Sequence, residues 1–335
     1  MSDTGRGKVL GIFGLLIAIV VVTGATNPRF FNAENLENVV QRTSLFAILG
    51  IGAAFPIVTA GIDLSIGSVV ALVATALPLL LDAGVPAAGA VPLVLLLAAA
   101  LGVVHGLLIT RLGLQPFVVT LCGLLVYRGL ARYLVDDQTM GFGTDHDGLR
   151  SLATGRPFSI GAFDVPAPLL VMIGVAIVAA VFLGRSVWGR WMLATGRNPV
   201  AARYAGVPVE RVTVLAYVLS SLLAGVGGVL FALDVNSVQP ASMGNFYELY
   251  AIAAAVLGGC SLRGGEGSIL GVVLGAAVVR LLYNSIVLLG IPSQLEFAII
   301  GGVLLFGAIA DELIRRLAER RRARERARAR ADRSP

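Results

Sequence analysis

A carboxylate and two hydroxyls stand together in Gly61-Ile62-Asp63-Leu64-Ser65-Ile66-Gly67-Ser68, between two long apolar runs. A charge in such surroundings is costly, roughly 2.5–3.5 kcal/mol at the centre of a membrane helix on insertion scales. Two uses offset that cost. Asp63 or Ser65 can cap the next helix at a tight turn near one membrane face, satisfying its exposed N–H groups. Alternatively, Asp63, Ser65 and Gly67 line or gate a path for a polar solute. The two uses are compatible. Further along, Gly258-Gly259-Cys260-Ser261-Leu262-Arg263-Gly264-Gly265-Glu266-Gly267 puts five glycines in ten residues, again between apolar runs. Irregular backbone at membrane depth is tolerated only against protein or a watery cavity, so Gly258 and Gly259 join the candidate path. The stretch lacks the Lys-Ser/Thr of a phosphate-cradling loop. Interrupted helices of a transporter suit both stretches.

A third motif is Gly196-Arg197-Asn198-Pro199-Val200-Ala201-Ala202-Arg203-Tyr204-Ala205-Gly206-Val207-Pro208. Asn198 is placed to cap a helix, Pro199 to occupy its first position and Gly206 to end it. The spacing predicts a two-turn amphipathic helix, either a linker helix facing solvent or lipid, or a knob for a partner. Isolated ionisable residues complete the inventory: His105, Arg128, Arg132, Glu248, Arg280 and Glu296. Arg132, Glu248 and Glu296 fall near the ends of apolar runs and read as snorkelling to the interface. His105 and Arg280 lie deeper. They read first as packed polar residues with a partner and second as solute ligands. Phe231, Phe246, Tyr247 and Tyr250 suit an interfacial belt or a stack on a sugar.

Catalytic chemistry is poorly provided for. There are two histidines, His105 and His146, one lysine, Lys8, and no H-E-x-x-H or P-loop. Neither a catalytic set nor a metal or cofactor site is read. Cys122 and Cys260 stand in apolar runs and read as small packed residues rather than as a disulfide.

The elements that must position these motifs are membrane helices. The chain has 335 residues, 57% of them hydrophobic and 14% charged. A soluble domain is about 45–50% apolar and about 25% charged, so a soluble globule is excluded, and so is disorder. Apolar runs of crossing length predict an all-α polytopic membrane protein of about ten transmembrane helices, some short or discontinuous. The intervals are 8–26, 43–61, 65–82, 87–110, 116–135, 166–184, 211–233, 248–260, 267–289 and 295–311, the eighth short enough for a half-span. The first reads as a retained helix rather than a cleaved signal. Residues 1–311 read as the transmembrane domain and 312–335 as a basic tail. Five arginines against Glu210 in 185–211, and ten arginines against five acids in 311–335, place both regions in the cytoplasm. The acidic linker 136–165 falls outside. The net charge of +6 thus belongs mainly to the tail, where it suits anionic lipid rather than nucleic acid.

In combination and order, GIDLSIGSVVAL (61–72), LGVVHGLLITRLGLQPFVVTL (101–121), GRNPVAARYAGV (196–207) and LGGCSLRGGEGSILG (257–271) resemble the ribose-type permeases. These are membrane subunits of ATP-binding-cassette importers for monosaccharides, and the resemblance runs from about residue 35 to 311. It implies a second permease subunit, as homodimer or heterodimer. It also implies cytoplasmic ATPase subunits, an extracytoplasmic sugar-binding protein and a place in the bacterial inner membrane with both termini inside. The 196–207 helix would then couple to the ATPase, with Gly196, Asn198, Pro199, Ala201, Ala202 and Gly206 as its residues. Asp63, Ser65, Gly67, His105, Gly258 and Gly259 would belong to the path or gate. His105 departs from the Asn common in such permeases, and Cys260 from Thr. The resemblance implies a monosaccharide without naming one. An ion-coupled secondary transporter is the competing class, and the scarcity of mid-span carboxylates speaks against it.

Overall fold

The computed structural model describes residues 3–303 together with 305 and 309. The helices are α1 (Asp3–Thr26), α2 (Ala33–Val58), α3 (Ile66–Asp82), α4 (Ala87–Arg111), α5 (Pro116–Tyr133), α6 (Asp147–Thr154), α7 (Ala167–Arg185), α8 (Val187–Arg197), α9 (Pro199–Tyr204), α10 (Val209–Val235), α11 (Tyr247–Leu257) and α12 (Ile269–Leu288). Residues 296–303 are helical again. A small antiparallel hairpin, β1 (Phe158–Ile160) and β2 (Phe163–Val165), pairs Phe158 with Val165 and follows α6. The protein is an all-α polytopic membrane protein.

Five of these helices, α2, α4, α7, α10 and α12, are long and apolar enough to cross a membrane. Gly11–Thr26, α3 and α11 are apolar but shorter. α5 carries Arg128 and Arg132 within 18 residues and is not among the five. Nine of the ten expected intervals coincide with helices. The tenth falls on 296–303, 305 and 309, and its remainder and the expected tail 312–335 lie outside the described residues. α2 begins ten residues before its apolar run, because the polar segment with Glu34 and Glu37 is already helical.

α2 and α10 form the centre. The most apolar window of α2 is 83% buried inside the protein, against 28% for α4 and 22% for α7, which therefore lie at the periphery. α10 packs on α4, α2 and α3. It meets α4 so closely that a Cβ at Gly102 or Gly106 would strike the α10 backbone at Tyr217–Val218 or Val214; small residues permit such approach in membranes. α1 stands apart. It packs on α12 through Ile19, Val278 and Leu281, and hydrogen bonds join Thr23 Oγ1 to Ser285 Oγ (2.7 Å) and Asn27 Nδ2 to the Leu288 carbonyl (2.8 Å).

The bundle has two distinct ends. The base gathers the C-terminus of α2, the helices α8 and α9, and the glycine-rich segment 258–268. The crown gathers α6, the hairpin and the loops 136–146 and 236–246, which meet in a bridge between Met140 and Val238. There Arg132 grips Asp137 through two 2.7 Å hydrogen bonds, holding that carboxyl below the usual carboxylate range.

Candidate functional site: two broken helices and a welded base

α2 ends at the base. Residues 61–65 then run without regular structure to the start of α3. The Ile62 carbonyl accepts hydrogen bonds from Tyr217 Oη on α10 (3.4 Å) and Thr120 Oγ1 on α5 (3.3 Å). Asp63, 2% exposed, is enclosed next. Its Oδ1 accepts from the Ser65 backbone N–H (2.9 Å) and Ser65 Oγ (2.6 Å), and its Oδ2 accepts from Ser220 Oγ (2.7 Å). Ser220 is well into α10, about 16 Å from its start at a 1.5 Å rise per residue. Asp63 is therefore enclosed by the bundle, and its bond to the Ser65 N–H closes a local turn just before α3. The capping expectation holds in a specific form. Asp63 takes the N–H of Ser65, the residue preceding α3, while Ser65 itself makes no side-chain cap bond.

A second interruption comes down from the crown. Residues 236–246 lead to α11, which starts beside the start of α3. Gly244 and Gly67 pass backbone to backbone, so that a Cβ on either would strike the carbonyl of the other. Glu248, in the first turn of α11, is buried with its carboxylate against Gly67. This corrects the snorkelling expectation: α11 begins inside the bundle, so a residue near its end is not near an interface. Arg128 fastens the descending loop, donating to the carbonyls of Pro240 (2.9 Å) and Met243. Each broken helix thus carries one buried carboxylate at its positive end, Asp63 for α3 and Glu248 for α11. The helix dipole stabilises such a placement.

His105 is buried and has the partner expected of a packed polar residue, Tyr127 Oη at 2.8 Å from Nε2. Its Nδ1 is buried without a hydrogen-bond partner among the described residues. Its ring lies 6.3 Å from that of Tyr217, so it adjoins the Asp63 segment through that tyrosine. Glu296, expected at an interface, accepts a hydrogen bond from Tyr250 Oη (2.6 Å). Arg280, expected to be packed with a partner, is flanked by the rings of Phe46 and Tyr283.

At the base, α9 forms as its sequence dictates. Asn198 Oδ1 accepts from the Ala201 N–H (2.9 Å), Pro199 opens the helix, and Gly206 at φ +81° follows its end. Asn198, Pro199 and Ala201 are exposed, whereas Gly196 and Ala202 are buried toward the protein. The outward apolar residues are Val200 and Tyr204, 63% and 90% exposed. Sequence reading missed them, although their i, i+4 spacing marks a shared face. Beneath α9 three segments are welded by backbone. The Gly265 N–H donates to the Val58 carbonyl (2.8 Å), a Cβ at Gly196 would strike both groups, and Gly264 lies against Gly196 and Ala60. Val58 ends the helix from which the Asp63 segment rises. Gly258 passes the α12 backbone at Gly271–Val272 with no room for a Cβ, and Gly259 (φ +88°) turns the chain beside it.

Residues 35–308 match the family model described as branched-chain amino acid transport system / permease component. The chain is 35% identical over 298 residues to the ribose import permease protein RbsC of Escherichia coli K12, covering 88% of this chain and 91% of that one. It is 35% identical over 308 residues to the protein of that name from Bacillus subtilis 168 (92% and 94%). It is 30% identical over 308 residues to the D-allose transport system permease protein AlsC of Escherichia coli K12 (91% of each). No solved structure matches. With broken helices inside a membrane bundle, and a match spanning that bundle from α2 onward, the chain belongs to the branched-chain amino acid transport system / permease component family.

Proposed function

We propose that this chain is the membrane subunit of an ATP-binding-cassette importer that moves a monosaccharide into the cytoplasm, powered by a separate ATPase chain. The weld between Gly196, Val58 and Gly265 carries this reading, because it joins an exposed docking helix to the segment holding Asp63. Relatives named for ribose and D-allose supply the solute class. The arginines of 185–211 support a cytoplasmic base, and the acidic linker supports an outer crown as the docking side for a sugar-binding protein. Residues 1–311 form the permease domain, and 312–335 a basic cytoplasmic tail against anionic lipid. A second permease subunit completes the membrane part, and the chain hydrolyses nothing itself. Asp63, Ser65, Gly67, His105, Gly258 and Gly259 form or frame the gate. Asn198, Pro199 and Ala201 face the ATPase, Gly196 and Ala202 back the docking helix, and Gly206 ends it.

Vesicles holding the chain, its ATPase and its binding protein are expected to take up D-ribose or D-allose only with internal ATP. ATP hydrolysis by the chain alone, or uptake without the ATPase, contradicts the proposal. A second reading, an ion-coupled carrier, draws on Asp63 and Glu248 as buried carboxylates inside the bundle. Uptake that collapses with a protonophore at constant ATP selects it.

The docking surface is tested at Val200 and Tyr204. Truncating an exposed apolar anchor at an interface costs about 1–2 kcal/mol. The double variant Val200→Ala, Tyr204→Ala is expected to weaken ATPase capture by at least tenfold while the permease alone unfolds at an unchanged temperature. Wild-type capture would move the docking surface elsewhere.

A further inference from the structure

Arg280 is partly buried in α12, and among the described residues it forms no ion pair. Its Nε is buried without a hydrogen-bond partner. The guanidinium carbon lies 4.8 Å from the ring centre of Phe46 on α2 and 4.5 Å from that of Tyr283. Two aromatic faces hold the cation in place, yet they leave its N–H donors unused. An ionisable side chain kept in that state inside a membrane bundle marks a functional position.

The surroundings show what the donors are for. Arg280 is level with Phe46, about 9 Å along α2 from Gly52, which packs on Ser220 at the level of Asp63. Phe46 packs edge-on against Tyr247 (4.8 Å) and Tyr250 (5.6 Å), both on the broken helix α11. Tyr250 Oη donates to Glu296, so that carboxylate is engaged by a hydroxyl rather than by Arg280. Nearby, Arg42 is paired with Asp234 at 2.7 Å. Arg42, Arg280, Asp234 and Glu296 together carry no net charge, which favours a neutral ligand over an anion. Rings, a free guanidinium and a hydroxyl–carboxylate pair suit a polyhydroxylated molecule. Its C–H face would lie against the partly exposed ring of Tyr250, and its hydroxyls accept from the guanidinium and donate to the carboxylate.

We propose that Arg280, with Phe46, Tyr250 and Glu296 around it, is the permease's own binding contact for the neutral sugar as it crosses the bundle. This rests on the monosaccharide reading above and adds the site. The test uses the complete transporter in vesicles with D-ribose or D-allose and compares wild type, Arg280→Met and Arg280→Lys. Methionine keeps the side-chain length and removes the charge, so the transporter is expected to assemble and unfold at an unchanged or higher temperature. Per assembled complex, the maximal uptake rate is expected to fall at least tenfold in Arg280→Met and less in Arg280→Lys. The half-saturating sugar concentration, set by the binding protein, is expected to stay put, and stimulated ATP hydrolysis to continue. Uptake per complex within twofold of wild type in Arg280→Met overturns the proposal, as does a parallel loss of ATP hydrolysis, which would place Arg280 in the coupling machinery. Wild-type vesicles that move neither sugar would instead count against the monosaccharide reading itself.

Discussion

Gly196→Val is expected to abolish sugar uptake and to lower the unfolding temperature of the permease. The side chain would enter the space held by the Val58 carbonyl and the Gly265 N–H. Overpacking a core typically costs 1–3 kcal/mol when neighbouring side chains can rotate away. Here the neighbours are two backbones hydrogen-bonded to each other, and prising them apart forfeits that bond as well, about 0.5–1.5 kcal/mol. A total of about 2–4 kcal/mol follows, with Gly196→Ala at the lower end. The functional loss should exceed the structural one if, as proposed, the weld carries movement of α9 to the Asp63 segment. ATP hydrolysis by an assembled Gly196→Ala complex is therefore expected to continue while uptake falls at least tenfold. Gly174→Ala on α7 is the control, since a Cβ there meets nothing within 4 Å. Uptake by Gly196→Val within twofold of the control would refute the account.

Asp63 gives the second large effect. Asp63→Ala removes the acceptor for three donors at once, Ser65 N–H, Ser65 Oγ and Ser220 Oγ. Each buried donor left unmade costs about 1–3 kcal/mol, and hydroxyls recover part of this by turning to backbone carbonyls. A loss of several kcal/mol is a large fraction of a protein's stability, so Asp63→Ala is expected to unfold well below wild type. Asp63→Asn keeps a carbonyl oxygen for both Ser65 bonds and offers an N–H to Ser220 Oγ, which can accept it. It should retain most of the stability. Thermal unfolding in detergent measures the first difference and vesicle uptake the second. An alanine variant as stable as the asparagine variant is incompatible with this hydrogen-bond assignment. A stable asparagine variant without uptake would show that the negative charge itself serves transport.

The contrast between α9 and Asp63 shows what a sequence discloses. α9 was legible because its determinants are local: an Asn cap, a Pro at the first position and a Gly after the end. The interruptions were legible too, because Gly and Ser between apolar runs have few other uses in a membrane. Their depth was not. Whether Asp63 sits at a face or inside depends on Ser220 and Tyr217, some 155 residues away, reaching the same level. Glu248 was misplaced for the same reason, since the helix that carries it starts inside the bundle. Hydropathy also ranks helices by a different property from centrality. α2 is the least apolar of the five long helices and the most buried, whereas α7 is the most apolar and the least buried. Apolarity of the whole surface is demanded by lipid, while a central helix can carry Gln41, whose Nε2 donates to Asp234 on α10.

The isolation of α1 bears on the order of assembly. Its contacts fall on α12, with Thr23 and Ser285 separated by 262 residues, and it precedes the family match that begins at residue 35. A ribosome adding about 5–20 residues per second needs roughly 13–50 s to cover that interval. Throughout that time α1 has lipid as its only neighbour on the face destined for α12. Its outward residues Phe13, Ile17, Val21 and Val22 remain exposed even in the finished protein, so lipid is a tolerable home for both sides. α1 is thus made long before the helix on which it docks, and its docking waits for α12.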